Sequence, residues 1–141
     1  MAIYSLAQRT TNFTAAQACA EYRTPATVRP KVLEVSFITA TGTAQSIGFG
    51  RPQAIGITPV NVLFQADDPG DPASVMNGSL SWATSPTVPL IFHRRWNGAA
   101  TIGVGIIWTF PRGFVIPVSS AAVLWNITTT VAADVNCVID E

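Results

Sequence analysis

Charge is what this sequence has least of. Only 11% of its 141 residues are Asp, Glu, Lys or Arg, against about 25% in an average soluble domain. Eight basic and eight acidic residues cancel. Direct nucleic-acid binding calls for a basic excess gathered on one face, so none is expected. Long apolar runs are missing as well. Hydrophobic residues make up 48% of the chain, yet no run approaches the ~18 residues that cross a bilayer, and no membrane partner is expected. The opening MAIYSLAQRTTNF has neither the basic nor the apolar region of a secretory signal. Histidine occurs once and cysteine twice, too few for a zinc cluster. Cys19 and Cys137 are expected to be reduced thiols in a cytoplasmic setting. Asp67, Asp68 and Asp71 crowd one loop, but their spacing misses the EF-hand pattern and prolines interrupt it, so they read as a solvated turn. No metal and no cofactor is expected.

Something must replace the missing charge. Thr, Ser, Asn and Gln supply a neutral surface, and partners can cover the remainder, which points to a stable oligomer or a subunit of a larger assembly. The basic set, seven Arg to one Lys, has the bias of protein interfaces, where the planar guanidinium makes fixed multi-donor contacts. A chain of this length buries roughly 68–70% of its unfolded surface, enough for one core without disulfides.

What is present is period-two alternation. In TIGVGIIWTF, Ile102, Val104, Ile106, Trp108 and Phe110 point one way; in VAADVNCVID, Val131, Ala133, Val135, Cys137 and Ile139 do so; in LEVSF, Leu33, Val35 and Phe37. Alternation rich in β-branched and aromatic residues marks strands with one buried face. Shorter candidates lie at 45–49, 55–58, 60–65, 79–83, 88–96, 114–118 and 122–128. The turn signals TATGTA, ADDPGDPAS, TSPTVP, NG and PRG separate them. The fold class is therefore all-β, an antiparallel β-sandwich or jelly-roll-like domain over residues 31–141. Residues 1–30 read differently. NFTAAQACAEYR can form a short helix capped by Asn12 or Thr14, and TPATVRPK is extended. Together they suggest an N-terminal arm lying on its own domain or on a neighbouring subunit. Deleting residues 2–30 should then weaken assembly more than it unfolds the β-domain.

FHRRWNGAATIG (92–103) gathers the only histidine, two arginines, a tryptophan and Asn97-Gly98. Asn-Gly tolerates the positive φ of a two-residue hairpin turn, which would pair 88–96 with 100–110 and place Arg94, Arg95 and Trp96 near its tip. Such residues suit a protein–protein hot spot. Stacking on single-stranded bases would lack an electrostatic track. Catalysis by His93 lacks a partner, since no Ser sits in a G-x-S-x-G elbow, and no enzyme activity is expected. GFGRPQAIG (48–56) contains a GxG but opens no helix, so a dinucleotide site fails, and its glycines read as close backbone approaches. The interface candidates are Arg94, Arg95 and Trp96 with Arg9, Phe13, Tyr22, Arg23 and Arg29 of the arm.

RPQAIGITP (51–59), TIGVGIIWTFPRGFVIP (101–117), LWNI (124–127) and the closing VIDE (138–141) give the chain a texture that resembles small structural proteins of tailed bacteriophages, above all the capsid decoration, or cement, proteins. The resemblance implies a β-rich homotrimer on the outer surface of the head, made in the host cytoplasm, that bridges major capsid protein subunits. Its N-terminal segment would reach to capsid or sister subunits, and no catalytic residue would carry over. The competing reading is a tail- or fibre-associated protein with a carbohydrate-binding jelly roll. Its exposed aromatics would be Trp82 and Trp96, since Trp108 and Trp125 lie in core patterns.

Overall fold

A computed structural model describes residues 2–11, 15–128 and 132–141. Among them are eleven strands and no helix: β1 (Ile3–Arg9), β2 (Gln17–Arg23), β3 (Lys31–Thr39), β4 (Gln45–Pro52), β5 (Ile57–Leu63), β6 (Gln65–Ala66), β7 (Asn77–Thr84), β8 (Pro89–Gly98), β9 (Gly105–Val115), β10 (Ala121–Asn126) and β11 (Ala133–Asp140). They form two antiparallel sheets, one ordered β6-β1-β11-β3-β9 and the other β5-β7-β2-β10-β4-β8. The sheets pack face to face as a sandwich.

The core lies where alternation sends apolar side chains. In β11, Ala133, Val135, Cys137 and Ile139 are all buried between β1 and β3. Opposite them the six-stranded sheet supplies Tyr22, Ile47, Phe49 and Leu124. Phe49 sits at one end of this layer, with ring centroids 5.0 Å from Phe114 and 5.5 Å from Phe110, which joins β4 to β9 across the sandwich. Truncating a side chain so enclosed costs about 3–5 kcal/mol.

Four expectations need correction. The segment 12–23 is not a helix from residue 17 onward, because β2 pairs with β10 on one side and β7 on the other. Two ladders and a buried face override the helical propensity of its alanines. Residues 1–30 are not an arm either: β1 lies between β6 and β11, so the segment gives one strand to each sheet. The Asn12 and Thr14 caps lie outside the described residues.

The third concerns Asn97-Gly98, which makes no hairpin. β8 continues through both residues in register with Ser46 and Gln45 of β4. The chain then crosses to the other sheet, where Gly103 N–H donates to Thr39 O and Thr39 Oγ1 donates to Val104 O. Ile102, expected inside, is exposed in this crossing.

The fourth is PRG, which reverses nothing. Val32 pairs with Phe114 and Glu34 with Thr109, so Leu33 alone faces the four residues 110–113 of β9. This wide bulge closes on Gly113 at φ 70°, a backbone conformation that glycine adopts without strain. It also sends both Val32 and Val35 into the core and leaves Leu33 half-buried, which the simple alternation of LEVSF did not anticipate.

Candidate functional site

The arginines of FHRRWNG stand on an open edge. Among the described residues β8 pairs only with β4, and β9, the outer strand of the other sheet, pairs only with β3. The two edges lie beside each other, joined by side chains. The guanidinium of Arg94 stands 5.1 Å from the Phe110 ring centre and that of Arg51, at the end of β4, 4.1 Å from Phe114. Arg95 leans over Phe92 at 5.7 Å. Stacking on rings holds these cations in place, and on the exposed Arg94 and Arg95 it leaves guanidinium N–H groups to donate. Arg51 also donates from Nη2 to Val115 O (2.5 Å), which ties β4 to β9.

His93 lies within this group, 4.9 Å from Phe114 between ring centres. Its Nε2 is 3.4 Å from Arg51 Nη1. Arginine only donates, so Nε2 is the acceptor there. Partial burial, then the positive charges of Arg51 and Arg94, hold the imidazole below its ordinary pKa. A neutral histidine between cations is a poor general base without a carboxylate to orient it, and β4, β8 and β9 contain no Asp or Glu. What the edge can do is bind: it offers the exposed Arg94, Arg95 and Arg112 to carboxylates, with Arg51 spent on bracing β4 against β9, beside the exposed aliphatic side chains of Leu90 and Ile91.

The other candidates scatter. Trp96 is half-buried against Phe37. Arg9 is exposed and paired with Asp134 at 2.7 Å. Arg29 is exposed. Tyr22 is 1% exposed and leaves the interface set, because its ring fills the core against Phe64. Phe13 lies outside the described residues. Of the glycan candidates, Trp82 donates its indole N–H to Glu21 Oε2 (2.6 Å), so that polar handle is already committed.

Glu21 is the residue that sequence reasoning passed over. It faces the outer side of the six-stranded sheet, opposite in phase to Ala20 and Tyr22, yet is fully buried. Residues 53–56 run from β4 toward the far edge of the sheet, and Gly56 N–H donates to Glu21 Oε1 (3.0 Å). Arg23 Nε lies 3.8 Å from Oε2. A side-chain methyl at Gly56 would fall 2.2 Å from Trp82 Cδ1, so only glycine lets the strap come this close. Ala18, Val123 and Trp125 form a small second core beneath it. Reading β2 as a strand would have put Glu21 on an outer face, but nothing local announces the strap.

The acid-rich loop is a turn. Asp68 Oδ1 accepts from Gly70 N–H (2.8 Å) and Asp67 accepts from Ser5 Oγ. Among the described residues no three His, Cys, Asp or Glu side chains are placed to hold a metal ion. Compared with known proteins, the chain matches no family model, no curated protein and no solved structure.

Proposed function

We propose that this chain is a non-enzymatic structural protein of a tailed-phage virion. In this reading it sits on the outer surface of the head as a homotrimer and stabilises the lattice by bridging major capsid protein subunits. One observation carries the reading: the six-stranded sheet has two open edges, and both expose aliphatic side chains. Leu90 and Ile91 on β8 are 82% and 71% exposed, and Val60 and Ile57 on β5 are 65% and 60% exposed. Bare apolar edges invite uncontrolled pairing, so a protein that carries them is suited to having them covered by sister subunits or a lattice. Shallow contacts repeated by symmetry add up even where each is weak. The wiring supports a jelly-roll-like sandwich, since every connection except β4–β5 and β7–β8 passes from one sheet to the other.

The test is the copy number of this chain relative to the major capsid protein, measured by quantitative mass spectrometry of purified particles. A ratio close to one supports the lattice role. A few copies per particle would move the protein to the tail or a vertex and make glycan or receptor binding the better account. The same particles stripped and re-incubated with purified protein should recover it by co-sedimentation.

A further inference from the structure

The two ends of the sandwich carry opposite charge. At one end, β8, the β9 bulge and the end of β4 hold Arg51, Arg94, Arg95 and Arg112, and these three strands contain no carboxylate. At the other end, β5 passes through the buried Phe64 directly into β6, the outer strand of the opposite sheet. The chain from 57 to 76 contains Asp67, Asp68 and Asp71 and no Lys or Arg. A molecule with zero net charge thus concentrates opposite charge at its two ends, with Arg23 the one cation among the described residues that borders the acidic end, beside Asn61 of β5. At the basic end Arg94 and Arg95 lie on the open strand β8 itself, beside exposed Leu90 and Ile91; at the acidic end the open strand β5 is uncharged, with exposed Val60 and Val62, and the aspartates follow β6, the outer strand of the five-stranded sheet.

Strand direction allows these ends to meet. Every neighbouring pair in the six-stranded sheet is antiparallel, and with six strands the outermost two run in opposite directions. A second copy brought in without turning it end for end therefore sets its β8 antiparallel to β5, the pairing that continues the sheet. Pro59 lacks a donor, which confines such a ladder to the 60–63 half of β5.

A two-fold pairing of like edges is also antiparallel, but charge decides against it. Pairing β8 with β8 would gather the arginines, and pairing β5 with β5 would gather the aspartates. Like charges brought together in an interface are strongly unfavourable, whereas opposite ones steer association and fix register.

We infer that copies of this chain associate head to tail, the β5 edge of one, at the end that carries the aspartates, against the arginine-bearing β8 edge of the next. Such a heterologous contact closes into a ring when its rotation permits. The inference deepens the self-association part of the proposed function and does not depend on the capsid.

The experiment uses purified protein without capsid, in sedimentation-velocity runs at micromolar concentration. The wild type should be oligomeric. R94E/R95E reverses one edge and V60K/V62K places cations on the other; each should weaken self-association at least about tenfold while keeping its circular dichroism and cooperative melt. Mixed together, the two should associate, because each retains the intact edge that the other needs. A monomeric wild type, or a mixture that stays monomeric, would overturn the inference. So would one variant that self-associates like the wild type, which is the signature of a two-fold contact through the untouched edge. Should a double variant unfold, R95E and V60K run singly read the same outcomes. A wild-type monomer that still decorates particles would sink this interface and leave the lattice role standing, and a ring that binds no particle would do the reverse.

Discussion

Among the described residues each sheet carries one arginine–carboxylate pair on its outer face, and the two pairs are built in opposite ways. On the five-stranded sheet Arg9 and Asp134 face each other in register, with two hydrogen bonds of 2.7 Å, both side chains largely in water. On the six-stranded sheet Arg23 reaches Glu21 only to 3.8 Å, but Glu21 is wholly enclosed. Distance ranks the exposed pair first, while energetics rank it second. An exposed pair exchanges good hydration for a screened attraction. Glu21 instead has to be satisfied by protein alone, so each of its partners is one the fold depends on. The strap that encloses Glu21 thereby gives the six-stranded sheet a partly closed outer face, and the five-stranded sheet keeps an open one.

The largest perturbation removes both pairs at once, since Arg9 is on β1 and Glu21 on β2. Deleting residues 2–30 takes an interior strand from each sheet and separates β7 from β10 and β6 from β11. The truncated chain should show no cooperative thermal transition and should bind ANS, in contrast to the intact β-domain expected of a chain losing only an arm.

Next in size is the enclosed pair alone. Glu21→Ala leaves the N–H groups of Gly56 and Trp82 without their acceptor, and a stranded buried donor costs about 1–3 kcal/mol. A loss of about 2–4 kcal/mol in urea unfolding is expected, with Trp82 fluorescence shifting as the strap releases. Glu21→Gln keeps one acceptor oxygen and should lose less. Gly56→Ala probes the same place by steric means. With 2.2 Å to Trp82, either the ring or the strap must move, at a cost of about 1–3 kcal/mol. Both variants should loosen the strap while leaving the Arg9–Asp134 contact unchanged. Equal effects at both pairs would erase the contrast between the faces.

The parts of the fold legible in the sequence are those where a single strand declares its own buried face. β11 and the Trp108–Phe110 half of β9 alternate cleanly because one side meets the core, and Trp108 is buried as that pattern requires. Trp125 is buried too, but on the outer face beneath the strap, a place that no local pattern specifies. The failures share one cause. NFTAAQACAEYR has local helical propensity and Asn-Gly has local turn propensity, yet in both places ladders to strands distant in sequence prevail. The arginines were legible as a candidate set by type. Their company was not, because Arg51, Arg94 and Arg112 meet only through the stacking of β8 on the β9 bulge. Glu21 was hidden for the same reason: its partners lie 35 and 61 positions away.

The smallest effect expected is at the open pair, and pH sharpens it. The hydrogen bonds from Arg9 hold the Asp134 carboxyl below the ordinary aspartate range. A carboxyl whose pKa is depressed by folding adds stability that is fully present above its unfolded value, and that stability is lost as pH falls through the folded one. Arg9→Ala should therefore return the Asp134 midpoint, followed by carbon-detected NMR, toward the ordinary range. At neutral pH its melting temperature should differ little from wild type, and what difference there is should shrink with added salt. Below the acid window the difference should vanish, because Asp134 is then protonated in both proteins. A Glu21-sized loss from Arg9→Ala at neutral pH would mean that the outer face of the five-stranded sheet is not open, and that something else desolvates Asp134.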